Sequence, residues 1–177
     1  MAVSAIASAA TKVAISGGAV ALILFRMSQA KSRDLRWFGI TKPGLVPTAI
    51  FVVVYIGWML ASDQLIHWRG PWDFRPWQSA PLLASAMRVL AVCLLGPTAE
   101  ELLFRGVIFS WLKERIPLTL TILLTAVGWA LLHWSYSWAV IGVIVVDGVL
   151  LGAARARTGS VVPPIIMHAL YNLFAIW

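Results

Sequence analysis

Long apolar runs broken by short polar or charged turns set the pattern of this chain. Ala2 to Phe25 is apolar apart from Lys12. Leu45 to Ala61, Leu82 to about Arg115, Leu118 to His133, Trp138 to Ala154 and about Ile165 to Trp177 follow. A helix of about 20 mostly apolar residues crosses the hydrocarbon core of a bilayer. The pattern therefore predicts an all-α, polytopic membrane protein with about six transmembrane helices. Gly96-Pro97 predicts a kink in the third run, because proline removes one helical hydrogen bond. Gly148 and Gly152 stand at small-xxx-small spacing, which permits close helix contact.

The turns orient the spans. Arg26 to Lys42 carries Arg26, Lys31, Arg33, Arg36 and Lys42 against one acid, Asp34, and Arg155 with Arg157 forms another basic turn. Basic residues mark cytoplasmic loops, so both termini are expected outside. Ser62 to Ala80 is interrupted by Pro71 and Pro76 and holds Trp68, Trp72 and Trp77. It reads as an interfacial loop on the outer side, with His67 at its surface. There is no internal repeat or low-complexity linker, and the chain reads as one domain over residues 1–177. The N-terminus has no basic stretch before its apolar run and no cleavage site, so no signal peptide is expected.

Composition agrees. Of 177 residues, 60% are hydrophobic and 12% charged, where soluble domains are nearer a quarter charged. The net charge of +7 does not point to nucleic acid, because the basic residues lie in the turns between apolar runs. Cys93 is the single cysteine, so no intrachain disulfide can form.

Against this background, Glu100-Glu101-Leu102-Leu103-Phe104-Arg105-Gly106 stands out. Charge in a membrane helix is costly and marks function by default. Glu101 and Arg105 are spaced i,i+4 with the acid first, the favourable order for an ion pair. Glu100 points about 100° away and has no cation in its own segment, which makes it a candidate general base. At 1.5 Å per residue, Glu100 lies about 22 Å above the inner turn at Arg115, and His133 about 24 Å above it on the returning helix. His168 reaches that level only if Thr158 to Pro164 climbs as extended chain, which Pro163-Pro164 favour. Asn172 shares a helix face with His168. Glu and His can deprotonate a water, while His and Asn can donate to an oxyanion. Two His and one Glu are also a catalytic zinc ligand set. Asp147 is expected at mid-membrane, lining the same cavity or pairing with Arg88. Cys93, seven residues before Glu100, is expected on a similar face. No H-E-x-x-H motif or G-x-S-x-G elbow is present.

These residues resemble the motifs of the CAAX-protease and bacteriocin-processing (CPBP, or Abi) family of intramembrane endopeptidases. Glu100 to Arg105 resembles its EExxxR motif. Trp129-Ala130-Leu131-Leu132-His133 resembles FxxxH with Trp in place of Phe, a departure expected to bear on packing more than chemistry. His168-Ala169-Leu170-Tyr171-Asn172 matches HxxxN. The motif-bearing core spans 82–177, and residues 1–81, with two spans and a loop, carry no family motif. The short chain is most similar to the small prokaryotic members that accompany C-terminal sorting signals, such as the JDVT-CTERM type.

The resemblance implies a multi-helix fold around a polar intramembrane cavity in a prokaryotic cytoplasmic membrane. It implies that Glu100 and His133 activate water, that His168 and Asn172 support the oxyanion, and that Glu101 and Arg105 orient the site. The substrate would be a membrane-anchored or lipidated protein or peptide, with no cofactor. Three other readings stand beside it: a zinc-dependent protease using the same residues, a non-catalytic scaffold or immunity-type partner held together by the polar cluster, and a proton-coupled transporter suggested by Asp147 and the acids. The lack of repeats weighs against the last.

Overall fold

A computed structural model describes residues 2–30, 33–66 and 81–176. The described residues form six helices: α1 (Ala2–Ser28), α2 (Leu45–Ile66), α3 (Leu82–Leu112), α4 (Leu118–His133), α5 (Trp138–Thr158) and α6 (Val162–Ile176). Residues 3–28 of α1, together with α2, α3 and α5, are long and apolar enough to cross a membrane, while α4 and α6 are shorter apolar helices. With this architecture the chain is an integral, polytopic membrane protein. The loop expected over Ser62 to Ala80 begins later, because α2 runs on to Ile66. His67 and the three tryptophans of that loop lie outside the described residues.

The core forms where α2 to α6 converge. Tyr55, Phe104, Trp129, Ile141, Leu151 and Met167 belong to one buried cluster. The α4–α5 contact is the tightest, and glycine makes it possible. A Cβ on Gly148 would stand 2.8 Å from Cα and Cβ of Ala126, and one on Gly152 would stand 3.1 Å from Ile122. Ser137 caps α5, its side chain accepting from the amide of Val140 at 3.4 Å.

The 31 residues of α3 do not simply kink at Pro97. They include two π-helical stretches, Leu90–Leu95 and Leu102–Ile108, on either side of the acids. In the first, the amide of Gly96 bonds back five residues to the carbonyl of Ala91. Such bulges accommodate an extra residue in a helix and recur at functional sites. They also rotate the residues that follow, so Cys93 does not share the face of Glu100. It lines a separate recess with Leu82, Val89 and Leu94.

The extended climb expected over Thr158 to Pro164 is absent. Helix α5 continues to Thr158 and ends at Gly159 in the left-handed region (φ 69°). After Val161, α6 begins with Pro163 and Pro164 in its first turn, where a missing amide hydrogen leaves no helical bond unmade. His168 reaches the acids for another reason: the turn itself is sunk into the protein. Arg155 is buried, with its guanidinium donating to the carbonyl of Arg105 at 2.9 Å and to Ser110 Oγ at 3.2 Å. Arg157 is exposed. The α1–α2 connection covers this turn. Ser160 Oγ donates to the carbonyl of Thr41 (2.7 Å), and the amide of Val161 donates to that of Gly39 (2.9 Å). Gly39 has φ +81°, and a Cβ there would stand 2.5 Å from the Arg155 guanidinium. The basic turn of the sequence is therefore divided, with one arginine serving the fold and one serving the surface.

At the end of α3, Glu114 accepts from Trp37 Nε1 (2.6 Å) and Arg33 (2.7 Å), tying the covering segment down. The Trp37 hydrogen bond, then Arg33, hold its carboxyl below its ordinary value of 4.5. A depressed carboxylate contributes stability above its unfolded value and loses it as pH falls through the folded one. The melting difference between wild type and Glu114→Gln in detergent should therefore be present at neutral pH and disappear only below pH 4.5. The glycine packing is checked in the same assay. Gly148→Ala should cost about 1–3 kcal/mol through overpacking, while Gly142→Ala, with nothing within 4 Å of the new methyl, should not lower the melting midpoint.

Candidate active site

The two acids of α3 part company at once. Glu101 is fully buried. Its Oε1 accepts from Arg105 Nη1 at 3.0 Å and faces His168 Nδ1 at 2.9 Å. Arg105 is also fully buried. It donates from Nη2 to the carbonyl of Gly148 at 3.2 Å, and its guanidinium lies 4.8 Å from the Trp129 ring centre. A buried charge is tolerated only when paired and hydrogen-bonded, and this pair is met from α4, α5 and α6. Glu101 engages Nδ1 of His168, which leaves Nε2 outside this pair.

Glu100, one residue earlier, is half-buried. It has no cation on its own helix, as expected from its spacing, but it does have a partner on α4: Trp129 Nε1 donates to Oε2 at 2.6 Å. Phenylalanine cannot make this bond. The Trp at the FxxxH-like position therefore bears directly on the candidate base and not on packing alone. Trp129 also packs edge-on against His133 (5.5 Å between ring centres) and His168 (5.0 Å). His133 Nδ1 lies 3.4 Å from the carbonyl of Trp129.

The structure brings Glu100, His133, His168 and Asn172 to the wall of one cavity of about 450 Å³. Asp147 lines it as well, and it accepts from Trp58 Nε1 on α2 at 2.9 Å instead of pairing with Arg88. Asn172 carries a second duty. Its Nδ2 donates to the carbonyl of Val92 at 2.8 Å. In the π-helical ladder that carbonyl would look five residues on for a donor, to Pro97, which has no N–H. Asn172 supplies the donor that the proline lacks.

Several contributors carried no motif. Tyr55 of α2, Lys12 and Ser16 of α1, and Tyr136 and Tyr171 also line the cavity. The available signal was weak: Tyr and Trp side chains with polar tips in membrane helices seek hydrogen-bond partners when buried.

Residues 82–174, just over half of the chain, match the family model for type II CAAX prenyl endopeptidases, Rce1-like. The chain belongs to this family. The match to the Rce1-like model takes in α3, α4, α5 and nearly all of α6, the helices that carry the three motifs, and leaves α1 and α2 outside. The Rce1-like chain is also 24% identical over 119 residues to an uncharacterized 24.3 kDa protein of Escherichia coli, covering 66% of this chain and 55% of that one. It thus spans just over half the length of this curated relative. No solved structure matches it.

The double duty of Asn172 is testable by stability alone. Asn172→Ala leaves the part-buried carbonyl of Val92 without its donor, which costs about 0.5–1.5 kcal/mol. The unfolding midpoint in detergent should fall accordingly, and a wild-type midpoint would rule the capping role out.

Proposed function

We propose that this protein is an intramembrane endopeptidase of glutamic type. It hydrolyses a peptide bond in a membrane-anchored or lipidated protein or peptide, in the manner of C-terminal sorting-signal processing at a prokaryotic cytoplasmic membrane. The observation that carries the proposal is that Glu100, His133, His168 and Asn172 line one cavity among membrane helices. Glu100 is the general base. Trp129 holds Oε2, and Oε1 is left to take a proton from water, with His133 as the second group on that water. His168 Nε2 and the remaining N–H of Asn172 donate to the carbonyl oxygen as it becomes an oxyanion. Such donors are worth about 2.7–4 kcal/mol each in comparable sites. Glu101 and Arg105 set the ring of His168 without touching the substrate.

The site needs no metal in this reading. The zinc-dependent alternative instead makes two His and one Glu of the same set its ligands. The scaffold alternative assigns the same polar groups to helix packing only.

One experiment separates the three readings. The reconstituted protein is given a fluorophore-quencher peptide with a farnesylated cysteine and a CAAX-type C-terminus. Glu100→Gln should lower cleavage by about 10²–10⁴-fold, the range for loss of general acid–base catalysis, with the melting midpoint unchanged. A zinc chelator should have no effect. A fully active Glu100→Gln contradicts the mechanism, loss of activity to chelator supports zinc, and unfolding of the variant supports the scaffold.

A further inference from the structure

Asp147 is a second carboxylate on the cavity wall, and the roles above leave it without a task. It is only 2% exposed and lies well inside α5, a position where an acid is costly in a membrane and marks function by default. Among the described residues it makes no ion pair, and its side-chain hydrogen bonds come from α2, from Trp58 Nε1 and from the Tyr55 hydroxyl. The titratable and charged groups around it are Tyr55 of α2, Arg105 of α3 and His168 of α6. Both Arg105 and His168 are already engaged by Glu101. The bond from Arg105 to the carbonyl of Gly148 fixes the adjoining turn of α5 against the Glu101–Arg105 pair, so Asp147 is held in place from two sides.

The two cavity acids are held alike and surrounded differently. Each receives one indole N–H, Glu100 from Trp129 and Asp147 from Trp58. Glu100 is half-buried and shares the cavity wall with His133, whereas Asp147 is buried without a paired cation. Two carboxylates in unlike surroundings at one site divide acid and base work between them. Amide hydrolysis needs both, because a proton must leave the water and another must reach the departing nitrogen.

We propose that Asp147 is the general acid of this site. The proposal rests on the endopeptidase reading and completes it. Glu100 removes a proton from water as the water oxygen bonds to the carbonyl carbon. The C–N bond then breaks, its electron pair stays on nitrogen, and the nitrogen takes the proton of the Asp147 carboxyl group. The products are a carboxylic acid and an amine. Glu100 then carries one proton more and Asp147 one fewer, and transfer through the water of the cavity restores the pair.

The test uses the full-length protein in liposomes, the farnesylated peptide described above, and its ester counterpart, in which oxygen replaces the scissile N–H. An alkoxide leaves with far less need of a proton than an amide nitrogen. Asp147→Asn keeps the shape and an acceptor for Trp58 but has no acidic proton. It should lose about 10²–10⁴-fold in kcat on the amide and little on the ester. Ester turnover in the same preparation shows that the variant is folded. Glu100→Gln should lose both activities. Equal losses on amide and ester in Asp147→Asn, or none on either, overturn the proposal while Glu100→Gln still upholds the endopeptidase reading. If wild type and Glu100→Gln do not differ on either substrate, that reading falls and the role of Asp147 falls with it.

Discussion

Burial of the Glu101–Arg105 pair is the constraint on which the arrangement depends. A carboxylate and a guanidinium, both fully buried, stay together inside a membrane protein only if geometry and hydrogen bonds offset the loss of water. The fold meets this by drawing four helices onto one point. Helix α3 carries both charges, α6 brings His168 to Glu101, α5 offers the carbonyl of Gly148, and α4 lays Trp129 over the guanidinium. Removing any one partner leaves a buried charge short of a neighbour. Whatever satisfies this pair also places Glu100, because the preceding residue on α3 is then turned toward the cavity and toward Trp129.

Much of this was legible in the sequence because the bilayer restricts what a chain can do. Apolar runs gave six helices, and rare acids and histidines inside those runs marked the cavity. Spacing on α3 separated the fully buried, paired acid from the half-buried one. What sequence spacing missed came from local departures from ideal geometry. The depth of His168 was traced to an extended segment, yet it follows from a turn that is buried by Arg155 and covered by Gly39 and Thr41. Nothing in the letters distinguishes Arg155 from Arg157, since only packing against α3 and the α1–α2 connection divides them. Cys93 was placed on the face of Glu100 by counting 3.6 residues per turn, and the π-helical turn between them breaks that count.

Trp129 and Asn172 show how closely fold and candidate chemistry share parts. Trp129 is a core residue that also donates to Glu100. Asn172 caps the carbonyl that Pro97 leaves open and lines the cavity. Sharing of this kind ties the shape of the cavity to the irregularity of α3. The first two helices carry no family motif, yet they supply Tyr55, Trp58 and Lys12 to the site or its support. They differ in this from a mere membrane anchor.

The central claim is that the polar groups of α3, α4 and α6 surround a water and not a metal. A high-resolution experimental structure of the protein in lipid nanodiscs tests it most directly. The account predicts a single ordered water within about 2.6–3.2 Å of the Glu100 carboxylate and the His133 ring. Density for an ion at about 2.0–2.2 Å from their oxygen and nitrogen atoms, or lipid filling the space between them, would contradict it.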